Sequence, residues 1–153
     1  MPNCDVNPNL FWDFRGYSEV SYGIQLPFGR HAQPTTELPL GMVLVADKGA
    51  YGYALEAGAS NPGVPTGGSN STARDWRPWN SPNHGGTGQN VGFSDSHVEF
   101  RQTPACGVGN DNIYTRWSSA TAGVNYDERS RVQGTPPTGI ETPWGKTDNL
   151  IYP

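Results

Sequence analysis

A chain of 153 residues has room for one domain with a real core and not for two comfortable ones. Only 34% of it is hydrophobic, against 20 glycines and 14 prolines, so the backbone must run largely as turns and irregular loops rather than long helices. Ten basic and fourteen acidic residues give a formal charge of -4 without charge runs, which argues against nucleic-acid binding and against attraction to an anionic membrane surface.

Residues 1–19 read as an irregular opening stretch with Phe11, Trp12, Phe14 and Tyr17, and residues 20–28 alternate enough for a strand that Pro27 and Gly29 end. Pro34 and Pro39 mark an extended loop. Met42-Val43-Leu44-Val45-Ala46 is a continuous apolar run, short enough to be a core strand buried on both faces. Residues 56–75 hold almost no large apolar side chain and are expected to form a surface loop that builds no core. Within it, Asn70-Ser71-Thr72 matches an N-glycosylation acceptor at Asn70, with an O-linked sugar on the Ser/Thr cluster or an unmodified loop as the alternatives.

Residues 80–100 are the most informative stretch, a glycine-rich loop feeding a tight hairpin. A turn about Asp95-Ser96 predicts Val91 opposite Phe100, Gly92 opposite Glu99, Phe93 opposite Val98 and Ser94 opposite His97, with Val91, Phe93, Val98 and Phe100 on one apolar face. Asn112-Ile113-Tyr114-Thr115-Arg116-Trp117 is expected to add a short strand, and residues 118–147 an extended loop-rich segment. The terminal Leu150-Ile151-Tyr152 either tucks back as an edge strand of its own sheet or reaches into a neighbouring copy by strand addition. Seven Tyr, five Trp and five Phe compensate for the thin aliphatic core, since each buried ring removes about 150–250 Å² from water.

His84, the loop after it, Asp95-Ser96 and His97-Val98-Glu99-Phe100 resemble the C-terminal hallmark of a bacterial prepilin-type (type IV pilin-like) family: a His, nine residues, then Asp-Gly and a short strand. Here ten residues separate His84 from Asp95, and Ser96 stands where the family has Gly. Val20-Ser21-Tyr22-Gly23-Ile24-Gln25-Leu26-Pro27-Phe28-Gly29, Met42 through Gly49, and Thr103-Pro104-Ala105-Cys106-Gly107 running into Asp111-Asn112-Ile113-Tyr114-Thr115 extend the likeness. The resemblance implies a pilin-like globular domain and a role in surface assembly. The family's leader and long apolar helix are not seen: nothing near Met1 looks like a signal peptide, and the apolar run at 42–46 falls far short of the roughly 20 residues of a spanning helix. A processed product or a helix-free relative is therefore expected.

Chemical sites are sparse. Cys4 and Cys106 fit one structural disulfide of an extracellular protein, with two buried free thiols as the rival. His84, Asp95 and His97 are candidate transition-metal ligands, against a role for His84 in loop hydrogen bonding and for Asp95 in the turn. Asn110, Asp111 and Asn112 offer oxygens for calcium, or plain turn chemistry. No nucleophile elbow, phosphate-binding loop or dinucleotide fingerprint is present, so an enzyme is not expected.

The sequence thus predicts a mainly β, single-domain chain (1–153): a small antiparallel sheet with long Gly/Pro-rich loops. It reads as a structural subunit of an extracellular filament or cell-surface assembly whose partners are copies of itself, with exposed aromatics and Leu150, Ile151 and Tyr152 as assembly residues. No cofactor is expected beyond the calcium candidate. Two alternatives are a carbohydrate-binding surface module, with Trp76, Trp79, Trp117 or Trp144 as a platform for glycans, and a metal-dependent enzyme at His84, Asp95 and His97.

Overall fold

The structure, a computed structural model, describes residues 20–25, 38–51, 61–117, 128–138 and 142–152. It is mainly β. Strands β1 (Tyr22–Gln25), β2 (Val43–Asp47), β3 (Gln89–Phe93), β4 (Val98–Arg101) and β5 (Ile151–Tyr152) form a five-stranded antiparallel sheet in the order β4-β3-β2-β1-β5. One short helix, α1 (Glu128–Val132), interrupts the expected loop-rich segment, and 3-10 turns occupy Arg77–Trp79 and Pro82–His84. The opening aromatics Phe11, Trp12, Phe14 and Tyr17, the strand end at Pro27 and Gly29, and Cys4 lie outside the described residues. None of the helices among the described residues is long and apolar enough to cross a membrane.

β2 is the central strand, but it is not buried on both faces as its unbroken apolar run predicts. Its register against β3 shifts between Val43 and Val45, a bulge that turns both Val43 and Ala46 inward. Val45 is left on the opposite face, 39% exposed.

The hairpin forms where expected with a register one residue away from the expected one. Gly92 pairs with Val98, Val91 with Glu99 and Asn90 with Phe100. The loop has three residues, not two: Ser96 N–H donates to the Phe93 carbonyl at 3.0 Å and Phe93 N–H to the His97 carbonyl at 3.0 Å, with Ser96 left-handed at φ 73. This is a type I turn closed by a left-handed residue, the usual three-residue hairpin loop. Because side chains alternate, the slip moves Val98 and Phe100 off the core face and onto the face opposite Val91 and Phe93. Val98 is 70% exposed, whereas Val91 and Phe93 are buried.

Among the described residues no second sheet covers the inner face. Val43, Ala46, Val91 and Phe93 pack instead against Trp76 and Trp79, Ile113 and Tyr114, Val132 of α1 and Ile151 of β5. Residues 112–117 are core without being the predicted strand: they make only the isolated bridges Ala105–Asn112 and Arg116–Thr135, with a tight turn from Thr115 N–H to the Asn112 carbonyl. The described part of the 56–75 loop is largely exposed and adds no side chain to the hydrophobic core, but it is tied down against the core's edge. The Gly63 carbonyl accepts from Tyr51 Oη at 3.0 Å and from Trp79 Nε1 at 3.1 Å, and the Trp76 ring lies so close to Gly67 that a Cβ there would sit 2.7 Å from it.

The C-terminal residues take the first of the two placements expected of them, tucked back as an edge strand of their own sheet. Leu150, Ile151 and Tyr152 are buried in the chain's own fold, where Ile151 and Tyr152 pair with Gln25 and Ile24 and Ile151 N–H donates to the Ile113 carbonyl at 2.8 Å.

A left-handed non-glycine residue costs about 1–2 kcal/mol. Ser96→Gly is therefore expected to stabilise the protein by about 1 kcal/mol and Ser96→Val to destabilise it by a similar amount, read from urea unfolding midpoints. Loss of stability in Ser96→Gly would contradict the three-residue turn.

Candidate functional site

The slipped register and the β2 bulge together create a second, outward face. Along it Ile24 pairs with Val45, Val45 with Gly92, and Gly92 with Val98, one residue from each of β1 to β4. Gly92 has no side chain to fill its place, and Val45 leans over it: a Cβ on Gly92 would lie 2.8 Å from Val45 Cγ1 and 3.8 Å from Val98 Cγ2. The row is thus one continuous apolar strip rather than scattered side chains. A neighbouring row carries Tyr22 paired with Asp47 and Asn90 paired with Phe100, and the rings of Tyr22 and Phe100 are exposed.

Asp47 fastens the glycine-rich loop to this second row. Its Oδ2 accepts from Asn90 N–H at 2.6 Å and lies 2.9 Å from His84 Nε2; a carboxylate only accepts, so the imidazole donates. Asn83 Nδ2 donates to Asp47 Oδ1 at 3.3 Å and to the Ser21 carbonyl. His84 reaches this position from the Pro82–His84 turn, which the Ser81 hydroxyl caps by accepting from Asn83 N–H at 3.2 Å and which Gly85 ends at φ 61. Phe100 meets the His84 ring edge-on at 5.4 Å. The glycines that follow serve close approach rather than anion binding: a Cβ at Gly88 would come 2.4 Å from the Arg101 carbonyl and 2.7 Å from the Phe100 ring.

The predicted transition-metal trio is not brought together. His84 is engaged with Asp47 on the outward face, while His97 stacks on Phe93 at 4.3 Å on the other and bonds Asp95 Oδ1 and, at 3.4 Å, Glu99 Oε1. The calcium candidates also part. Asn110 is exposed at φ 62, whereas Asp111 and Asn112 point inward. Asn112 accepts from Tyr114 N–H at 3.1 Å and donates to the Val132 carbonyl at 3.3 Å, and Asp111 accepts from Trp117 Nε1 at 2.6 Å and from Asn149 N–H. Among the described residues no three His, Cys, Asp or Glu side chains gather into a metal site.

Of the tryptophans weighed as sugar platforms, Trp76, Trp79 and Trp117 are buried. Trp144 is 41% exposed, with the Arg116 guanidinium 5.3 Å from its ring centroid. Asn70 is exposed at a turn in which Ser71 N–H donates to the Gly68 carbonyl at 2.9 Å. Cys106 carries a free thiol packed against the core, and burial pushes it up to about 12, which suppresses the reactive thiolate. Sequence reasoning missed the Asp47–His84 contact and the buried partnership of Asp111 with Asp148. Both join residues far apart in the chain, and no local motif announces either.

The chain matches no family model, no curated protein and no solved structure.

Two outcomes follow from these contacts. Asp47→Ala removes the acceptor shared by the His84, Asn90 and Asn83 donors and is expected to destabilise the fold by about 2 kcal/mol in chemical denaturation; a change within about 0.5 kcal/mol would show that the contact is incidental. His97 is raised above its ordinary 6.5 chiefly by its bond to Asp95, with Glu99 adding to it. Its contribution to the hairpin is therefore complete below 6.5 and fades as pH rises through the raised value. An NMR titration should place its imidazole above 6.5 and Asp95→Asn should bring it back down.

Proposed function

We propose that this chain is a structural subunit of an extracellular filament or cell-surface assembly, and that its copies associate through the outward face of the sheet. The observation that carries this reading is the uncovered strip Ile24, Val45 and Val98, bordered by Tyr22 and Phe100, on a sheet whose other face carries the core over β2 and β3. A contiguous apolar patch rimmed by polar groups is the usual mark of a contact surface. The likeness of residues 84–100 to the prepilin-type hallmark supports the same class of role.

Geometry favours the face over the edges. β5 offers only two residues, and β4 carries an ion pair, Arg101 Nη2 to Glu99 Oε1 at 2.5 Å, of the kind that discourages edge-to-edge pairing. Strands about 4.8 Å apart make a four-strand strip only roughly 15 Å wide, which is small beside the about 800 Å² that each partner buries in a stable pair. Pairwise contact is therefore weak and becomes firm only where each copy makes more than one contact, as in an array.

Val98→Lys and Ile24→Lys place charge on the strip while leaving the inner core untouched. Sedimentation velocity and negative-stain microscopy should show concentration-dependent assembly of the unmodified protein and monomers of the double variant, with thermal midpoints within a few degrees of each other. Dispersed single molecules of the unmodified protein at high concentration, with and without divalent ions, would refute the proposal.

A further inference from the structure

The C-terminal segment carries a second device, one that the assembly reading does not use. Trp117 stands between two carboxylates: its indole N–H donates to Asp111 Oδ1 at 2.6 Å, and its backbone N–H to Asp148 Oδ1 at 3.4 Å. Asp111 belongs to the body of the fold and Asp148 to the segment that ends in β5. The second Asp111 oxygen accepts from Asn149 N–H, and Asp148 Oδ2 accepts from Trp144 N–H at 2.6 Å. Both residues are wholly withdrawn from water. Arg131 of α1 acts on Asp111 and Arg116 on Asp148, and the neutral Cys106 thiol also lies within reach of Asp111.

We propose that this pair is a proton-operated latch: a proton carried by one of the two buried carboxylates, Asp111 or Asp148, keeps residues 148–152 closed on the sheet, and its loss opens that segment ahead of the rest of the fold. Two carboxylates in one dry site repel each other when both are ionised, and one proton removes the repulsion. Opening lets water reach both groups, so the open form holds fewer protons than the closed one and alkaline conditions favour it. Burial accordingly pushes Asp148 up to about 7, and burial together with the Asp148 charge holds Asp111 well above the usual carboxylate range.

Besides the burial of Leu150, Ile151 and Tyr152, the ties of the segment include neutral hydrogen bonds. Leu150 N–H donates to Gln25 Oε1 at 2.9 Å, and the Asn149 amide to Gln25 Oε1 at 3.2 Å and to the Val43 carbonyl at 3.0 Å. With β5 only two residues long, the segment can leave while β2, β3 and β4 keep their pairing. Its departure strips Ile24 and Gln25 of their β5 partners and bares the β1 edge.

Hydrogen exchange of the unmodified protein at pH 5, 6, 7 and 8, corrected for the intrinsic rate, tests this directly. The opening constant reported by the Asn149, Leu150 and Ile151 amides should rise with pH, by up to about tenfold per pH unit, while Val45 and Val91 stay protected. In Asp148→Asn, which keeps the oxygen facing Trp117 but cannot titrate, the rise should flatten; Asp111→Asn provides the same comparison from the other side. A pH-independent opening constant in the unmodified protein, an equal rise at Val45 and Val91, or an unchanged pH dependence in both variants would overturn the latch.

Discussion

Which way Val98 and Phe100 face is settled at the tip of one hairpin, where Ser96 takes a left-handed backbone and lengthens the loop to three residues. The β4 share of the outward face depends on that torsion. A two-residue loop would return both side chains to the core beside Val91 and Phe93; the three-residue loop sends them to solvent and brings His97, Glu99 and Arg101 round to the Phe93 side. The β2 bulge has the complementary effect, keeping Val43 and Ala46 inside while presenting Val45 beside Ile24 and Gly92. Two local irregularities, each one residue in size, therefore separate a packed face from an apolar face that remains open.

The packed face is completed by segments that look unable to complete it. Proline- and glycine-rich stretches lack aliphatic side chains, but they deliver large rings: Trp76 and Trp79 meet edge-to-face at 6.2 Å, and their loop is held down by the Gly63 carbonyl. Glycine permits this because ring faces approach the backbone directly, as Trp76 does at Gly67. Polar groups drawn in with the loops must then find partners inside, which is why Asn80 donates to the Gly86 and Gln102 carbonyls, at 3.0 and 2.9 Å, and Gln89 meets Ser81 N–H at 3.2 Å.

Much of this architecture was legible in the sequence. The apolar run at 42–46, the hairpin at 91–100 and the returning terminus are all strands of one antiparallel sheet, because β-branched and aromatic side chains in short runs between turn residues have few other uses. The register was not legible, since Asp-Ser reads equally well as the centre of a two-residue turn and only the left-handed φ at Ser96 decides otherwise. The core role of Trp76, Trp79 and residues 112–117 was hidden for another reason: it rests on contacts across the fold, not on periodicity. The same distance concealed the sites. His84 finds Asp47 from 37 residues away and Asp111 finds Asn149 from 38, so His84 looked free for a metal and Asp111 for calcium until their partners appeared.

The sheet is protected unequally around its perimeter, and that inequality gives the two proposals a common physical basis. At one edge β4 carries the charges of Glu99 and Arg101; at the other, among the described residues, β1 pairs with just the two residues of β5. Shielding by so short a strand depends on what holds the segment behind it, and behind it lie two buried carboxylates. Replacing such a pair with apolar side chains would make a firmer closure, because desolvated charge is costly to keep. A buried acid pair at this point therefore makes closure conditional where a hydrophobic plug would make it permanent. Under the proposed assembly of copies through the open sheet face, the proposed conditional cover over the β1 edge would govern how much further unpaired backbone is offered to a neighbour.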